Sequence, residues 1–275
     1  VAHINHFSYG LLTPLLAYVM SSIGSMLGLM LTARARFVAG GERVRWLVGG
    51  AVSIGGTGIW VMHFIAMMGF DVGNIPIRYD IPLTVASALI AVAVVGAGLF
   101  IVAYGGARPA PLLAGGALTG GGVACMHYVG MAAMNMPGHV SYDPAVVTGS
   151  VLIAVVAATA ALWFTLRVRG ALPTTGAALI MGVAVSGMHY TGMFAMSVRL
   201  DPDPGTVPGA QALDFLVPLL VLISMFTLVM LLSVILAPSE HELRAEAELE
   251  EWLAERREGS TAPLPAGRHH HRRRD

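Results

Sequence analysis

The chain has 275 residues and a formal net charge of 0 at pH 7; 56% of the residues are hydrophobic and 12% are charged. With a mean hydropathy of +0.72, that composition excludes an ordinary soluble domain and describes a polytopic membrane protein, for which the bilayer is the solvent. No nucleic-acid partner is expected.

A membrane-spanning helix needs roughly 20 apolar residues. The sequence offers seven such runs, at about 10–32, 46–70, 81–104, 112–136, 144–166, 174–198 and 214–237. Their length and continuous apolarity predict helices and not barrel strands. The first run opens on "FSYGLLTPLLAYVMSS", and the second closes on "VMHFIAMMGF" from Val61. The third opens on "YDIPLTVAS" from Tyr79, the fourth closes on "CMHYVGMAAM" from Cys125, the fifth opens on "YDPAVVTGS" from Tyr142, and the sixth closes on "GMHYTGMFAM" from Gly187. The motif histidines recur at 63, 127 and 189, intervals of 64 and 62 residues. The expected fold class is therefore an all-α integral membrane protein of seven transmembrane helices, built from three helix-pair repeats plus a seventh helix.

Orientation follows from arginine, since lysine is absent. Arg34, Arg36, Arg43, Arg45, Arg108, Arg167 and Arg169 flank one set of span ends, against Arg78 and Arg199 on the other. The excess predicts an outside N-terminus and a cytoplasmic C-terminus in a plasma membrane. The first apolar run is too long, and has no basic segment before it, for a cleavable signal peptide. The motif ends of the spans then lie near the outer face, under short loops such as "DVGNIPIRYD" and "PGHVSYDP". Residues 1–238 form the membrane domain. Residues 239–258, with Ser239 and Glu242 in capping-box spacing, predict a charged cytoplasmic helix with an apolar stripe at Leu243, Leu249, Trp252 and Leu253. Residues 259–275 predict a disordered tail whose His269, His270 and His271 are an adventitious metal binder.

Of ten histidines, only His63, His127 and His189 fall inside spans, and an ionisable residue inside a bilayer is a functional hypothesis by default. Methionine follows each four residues later, as Met67, Met131 and Met193, on the same helix face. Met134 and Met196, seven positions on, are expected to extend that face, where the first copy has Phe70. Met62, Met126 and Met188 are turned about 100° away. Imidazole with thioether and no carboxylate favours Cu(I), while zinc more often draws cysteine or carboxylate as well. The lead-ins "GGAVSIGGTG", "GGALTGGGVA" and "GAALIMGVAVSG" are dense in small residues that let helices approach closely. The three motif faces then either meet in one pocket or form separate sites. Cys125, about 200° from His127 around the helix, is expected to be a small packing residue. His3, His6 and His139 lie on the outer side and either join the site or face water, the latter being the expected arrangement, and Tyr128 and Tyr190 are expected to anchor the interface or donate hydrogen bonds. No catalytic residues are expected, and the chain is read as a non-enzyme.

The phrases Met62-His63-Phe64, Met126-His127-Tyr128 and Met188-His189-Tyr190-Thr191 resemble the MHYT family, with the four-letter signature complete only in the third copy. The resemblance covers about residues 1–240. It implies a bacterial integral-membrane sensor that binds copper through His63, Met67, His127, Met131, His189 and Met193 and responds to oxygen, carbon monoxide or nitric oxide. Phe64 departs from the family's tyrosine. Members of the family are often fused to cytoplasmic domains that make or degrade cyclic di-GMP. Only about 38 residues follow the seventh span, so the signal is expected to leave through a cytoplasmic partner. Three other readings stay open: copper transport along Met20, Met26, Met30, Met181, Met225 and Met230, a membrane redox protein with haem held by histidine and methionine, and a purely structural membrane protein.

Overall fold

A computed structural model of the chain describes residues 4–73, 75–106, 108–200 and 206–236, together with 248–250, 252, 253 and 256. The described tail residues are helical. Ser239, Glu242, Leu243 and the expected disordered tail 259–275 lie outside the described residues.

Among the described residues, six helices are long and apolar enough to cross a membrane. They are α1 (Leu12–Arg34), α2 (Gly40–Met67), α3 (Ile81–Gly105), α4 (Pro109–Ala132), α5 (Pro144–Arg167) and α6 (Ala171–Phe194). A further helix, α7 (Ala212–Leu236), occupies the seventh expected run and contains Pro218. The chain is a multi-pass membrane protein, and its outer surface fits that solvent. Leu15, Leu89, Leu152, Val156, Leu172 and Val183 are exposed, which in water would be an aggregation liability.

The repeats close into a ring. Each pair packs internally, α1 on α2, α3 on α4 and α5 on α6, while α2 packs on α3, α4 on α5 and α6 back on α1. Glycine sets the spacing where two backbones meet. A Cβ at Gly24 would lie 2.3 Å from the Gly58 nitrogen, and one at Gly120 would lie 2.4 Å from Val155 Cα. Both contacts belong to the small-residue seams expected from the sequence.

One end of the ring carries short antiparallel strands, β1 (Ile4–Asn5), β2 (Asp71–Val72), β3 (Arg78–Tyr79), β4 (Met134–Asn135), β5 (Gly138–Tyr142), β6 (Met196–Leu200) and β7 (Ala210–Gln211). β1 pairs with β2, β3 with β4 and β7, and β5 with β6. Each helix pair is thus closed by a strand from before its first helix and a strand from after its second. A backbone bond repeats beside every closure: the Ser8, Asp80 and Asp143 amides donate to the Gly69, Ala133 and Ala195 carbonyls, each acceptor six residues after a motif histidine. Asp80 and Asp143 also cap the helices they precede. Asp80 Oδ1 accepts from Leu83 N, and Asp143 Oδ1 accepts from Ala145 N and Val146 N, which accounts for the repeated "YD" phrase.

The structure corrects three expectations. The motif helices end at Met67, Ala132 and Phe194, before the expected ends at 70, 136 and 198. Met134 and Met196 therefore sit in β4 and β6 and do not extend the helical face; they are apolar because they are buried under the caps. The second correction is within α2, whose Val52–Val61 stretch is π-helical, a form usually limited to one turn and frequent near functional sites. Third, Cys125 is exposed on the outer surface of α4, facing away from His127 as expected but packing nothing in the core.

Candidate metal centre

Each of α2, α4 and α6 brings one histidine to within five residues of its strand-capped end. The ring turns all three inward. His63, His127 and His189 are 1%, 0% and 1% exposed, and His63 Nδ1 lies 3.0 Å from His189 Nδ1 and 3.2 Å from His127 Nδ1. Ring centroids are 4.9–5.1 Å apart with interplanar angles of 80–85°. The imidazoles form a three-bladed propeller. Of the two arrangements the sequence left open, the structure brings the three motifs into one site. Among the described residues it is the one group of three or more His, Cys, Asp or Glu with ligand atoms within 4.8 Å of one another.

The outer nitrogens explain a residue type in the motif. His63 Nε2 faces Gly130 and His127 Nε2 faces Gly192; a Cβ there would lie 2.6 Å and 2.3 Å from the nitrogen. Each glycine stands three residues after the next repeat's histidine, where the first repeat has the buried Ala66. His63 and His127 are thus each seated against the neighbouring motif helix. All three Nε2 atoms are buried and lack a hydrogen-bond partner among the described residues.

This arrangement cannot satisfy three neutral imidazoles by hydrogen bonding alone. A neutral ring has one N–H and one lone pair. With no proton inside the triangle, three lone pairs face each other; with one, a single hydrogen bond forms; with two or three, N–H groups collide. Every such state except the last also leaves at least one buried Nε2–H without an acceptor, each costing about 1–3 kcal/mol.

The aromatic residue after each histidine packs edge-on against it, at 5.2 Å for Phe64, 5.0 Å for Tyr128 and 4.9 Å for Tyr190. Tyr128 OH and Ser150 Oγ lie 2.7 Å apart, so this phenol bonds inside the bundle. In the preceding repeat, where Phe64 has no hydroxyl, Trp60 Nε1 donates to the equivalent Ser87 at 2.9 Å. Met67, Met131 and Met193 are each 2% exposed, one turn nearer the caps in the main hydrophobic core. Met126 and Met188 share that core, and Met62 packs with Ala17 and Ala66.

Sequence reasoning missed His6. Instead of facing water it is half-buried among Phe7, Phe70 and Phe194, with centroids at 6.4, 5.7 and 4.8 Å. Burial holds its pKa below the ordinary histidine value. His139 is exposed on β5, and His3 lies outside the described residues. Burial under the caps raises the phenol pKa of Tyr79, and burial together with Tyr128 raises that of Tyr142.

Comparison with known proteins agrees with the repeat. Residues 56–115 and 120–178 each match the MHYT family, described as "Bacterial signalling protein N terminal repeat". The third histidine falls outside both matches, and its equivalence rests on the geometry above. The bifunctional diguanylate cyclase/cyclic di-GMP phosphodiesterase MucR of Pseudomonas aeruginosa is 36% identical over 242 residues, covering 86% of this chain and 35% of MucR. The signaling protein YkoW of Bacillus subtilis is 30% identical over 213 residues, covering 75% of this chain and 26% of YkoW. The cyclic di-GMP phosphodiesterase NbdA of P. aeruginosa is 40% identical over 151 residues, 51% of this chain and 19% of NbdA. The chain spans about a third or less of the length of these relatives. No solved structure matches it. With two matched repeats, a third histidine completing their symmetry, and signalling proteins as its relatives, the chain belongs to the MHYT family of bacterial membrane signalling proteins.

Proposed function

We propose that this chain is a sensor module that holds one copper ion, as Cu(I), between His63, His127 and His189. The observation that carries the reading is the convergence of three Nδ1 atoms, that of His63 lying 3.0 Å and 3.2 Å from the other two. Metal–imidazole bonds of about 2.0–2.1 Å put ligand nitrogens roughly 3.3–3.6 Å apart in tetrahedral or trigonal arrangements. The residues fit with a shift of a few tenths of an ångström, and one cation would engage all three lone pairs at once. The absence of carboxylate and thiolate from the group and the buried thioethers of Met67, Met131 and Met193 favour a soft ion. Bound copper would supply a redox-active centre able to take a diatomic ligand. The apolar cavity of about 50 Å³ lined by Val95, Met181 and Met188 suits such a ligand better than water.

Signalling then requires that ligand binding favour one packing of the ring over another, since a ligand shifts an equilibrium only by its differential affinity. In this reading α7 is a seventh crossing, the histidines lie toward the outer face, and the change leaves through the cytoplasmic segment after α7 to a signalling partner. Haem fits less well, because imidazole nitrogens 3.0–3.2 Å apart leave no room between them for a macrocycle. The methionines of the transport reading do not line one route: Met26 and Met225 are exposed, and Met30 packs with Met230 beside Leu27 and Leu31.

The test is copper bound per chain after anaerobic Cu(I) loading, in protein with His269, His270 and His271 replaced by alanine to remove the adventitious binder. Copper retained there and lost on further replacement of His63, His127 and His189 supports the site. Equal copper in both refutes it.

A further inference from the structure

The opposite end of the ring carries a second polar constellation. The connection between α1 and α2 sends arginines to the C-terminal carbonyls of other helices: Arg34 donates to Val234 O, Arg36 to Val168 O at 3.1 Å and Arg43 to Ala103 O. Between Arg36 and Arg43 lies a cavity of about 190 Å³, walled by Thr32, Leu47, Leu99, Val102 and Thr165 among others. A water needs only about 10–15 Å³ of such space, so the cavity has room for a group of several heavy atoms.

Among the described residues its lining has one sign: two guanidiniums and no carboxylate; Glu42, beside Arg43 in the chain, is exposed. Arg43 is held in place by Ala103 O and by the Tyr104 ring, 4.7 Å from its guanidinium carbon. Its Nε is buried and finds no acceptor among the described residues. The Thr32 and Thr165 hydroxyls donate to Leu29 O and Leu162 O in their own helices, so neither hydrogen is turned to the cavity. Helix-end capping accounts for one donor on each arginine and leaves Arg43 Nε unexplained. A planar fork of N–H donors at the end of a membrane bundle matches phosphate oxygens, and basic pockets between transmembrane helices take lipid headgroups.

We propose that the cavity between Arg36 and Arg43 binds a phosphate group, carried either by an acidic phospholipid or by a free phosphate. Its occupant would bridge the arginines that hold the ends of α3 and α5.

The experiment uses the full chain in detergent, with native mass spectrometry to count retained phosphatidylglycerol and phosphatidylcholine, and thermal denaturation in inorganic phosphate against chloride at matched ionic strength. Wild type should retain phosphatidylglycerol over phosphatidylcholine, and the Arg36→Gln/Arg43→Gln variant should lose that preference by on the order of tenfold, the effect of about one charge-assisted hydrogen bond. Stabilisation of wild type by inorganic phosphate, absent in the variant, would assign the site to free phosphate. Retention of phosphatidylglycerol without a phosphate effect would assign it to the headgroup. If the double variant has lost helix by circular dichroism, Arg43→Lys, which keeps the charge and loses the fork, takes its place. Lipid retention and phosphate response equal in wild type and variant overturn the proposal.

Discussion

Replacing Gly192 by alanine tests whether the histidine triangle is held by its outer contacts. The new Cβ would lie 2.3 Å from His127 Nε2, whereas non-bonded heavy atoms sit at about 3.5–4.0 Å, so the ring must retreat by more than about 1 Å. His127 is 0% exposed with two imidazoles about 5 Å from its centroid; retreat therefore displaces Nδ1 from the triangle. Stability is a poor readout, since overpacking costs about 1–3 kcal/mol while alanine in a helix gains about 1 kcal/mol over glycine. Copper is the better one, because metal sites hold ligand distances to within about 0.2 Å and lesser disturbances of a metal's surroundings cost about 10–100-fold in affinity. Competition with a Cu(I) chelator should show G192A weakened at least tenfold, and G130A, where the Cβ would be 2.6 Å from His63 Nε2, weakened less. Gly176→Ala, on the same helix as Gly192 with nothing within 4 Å of its Cβ, should bind as wild type does. Wild-type affinity in G192A would refute the idea that these glycines seat the imidazoles.

Copper should saturate at one ion per chain, because the three motifs form one site; three per chain would mean separate sites. Ser87→Ala leaves the buried Trp60 N–H without its acceptor and should cost about 1–3 kcal/mol in unfolding from detergent micelles. Ser150→Ala, which strands only the half-buried Tyr128 hydroxyl, should cost less, and the reverse order would count against this account. The lowered pKa of His6 has a definite sign: above the ordinary value of about 6.5 both states are neutral, and below it the unfolded chain takes up the proton first. Stability attributable to His6 therefore falls as pH drops through that value, so His6→Phe should flatten the acid side of a melting-temperature profile. A profile identical to that of wild type would contradict the aromatic cage.

Much of the fold was legible because apolar length and repeat spacing are one-dimensional signals. His63, His127 and His189 stand out as ionisable residues in apolar runs, and their common phase within each repeat predicts equivalent depths. What was not legible depends on direction and closure. Met134 and Met196 continue an apolar run, and nothing local tells a helix from a short strand whose partner lies elsewhere in the chain. The same limit hides His6, whose aromatic neighbours Phe70 and Phe194 arrive from the ends of two different helices. That Nδ1 turns inward and Nε2 outward follows only from ring closure, although the glycines at 130 and 192 carried a readable trace of it: each marks a place where a neighbouring side chain comes too close for a Cβ.

The departures of the first repeat have a structural correlate. Three equivalent helix pairs would make a symmetric ring, but there is only one α7. Its described side-chain contacts fall on the first repeat: Thr227 meets Thr57 at 3.2 Å, Met230 lies against Gly49, Phe215 packs on Phe64 at 6.0 Å, and the Val234 carbonyl accepts from Arg34. The exception is Tyr79 at the start of the second, 5.8 Å from Phe215. The repeat that replaces tyrosine by Phe64 and glycine by Ala66, and carries the π-helical stretch around Thr57, is the one that receives the seventh helix. A phenol at position 64 would place a hydroxyl near Phe215 and Tyr79, where an apolar ring packs without needing a partner. Degeneracy in this copy is therefore what lets a threefold ring engage a single helix, and under the proposed function it would give a change at the histidine centre one asymmetric seam through which to reach α7.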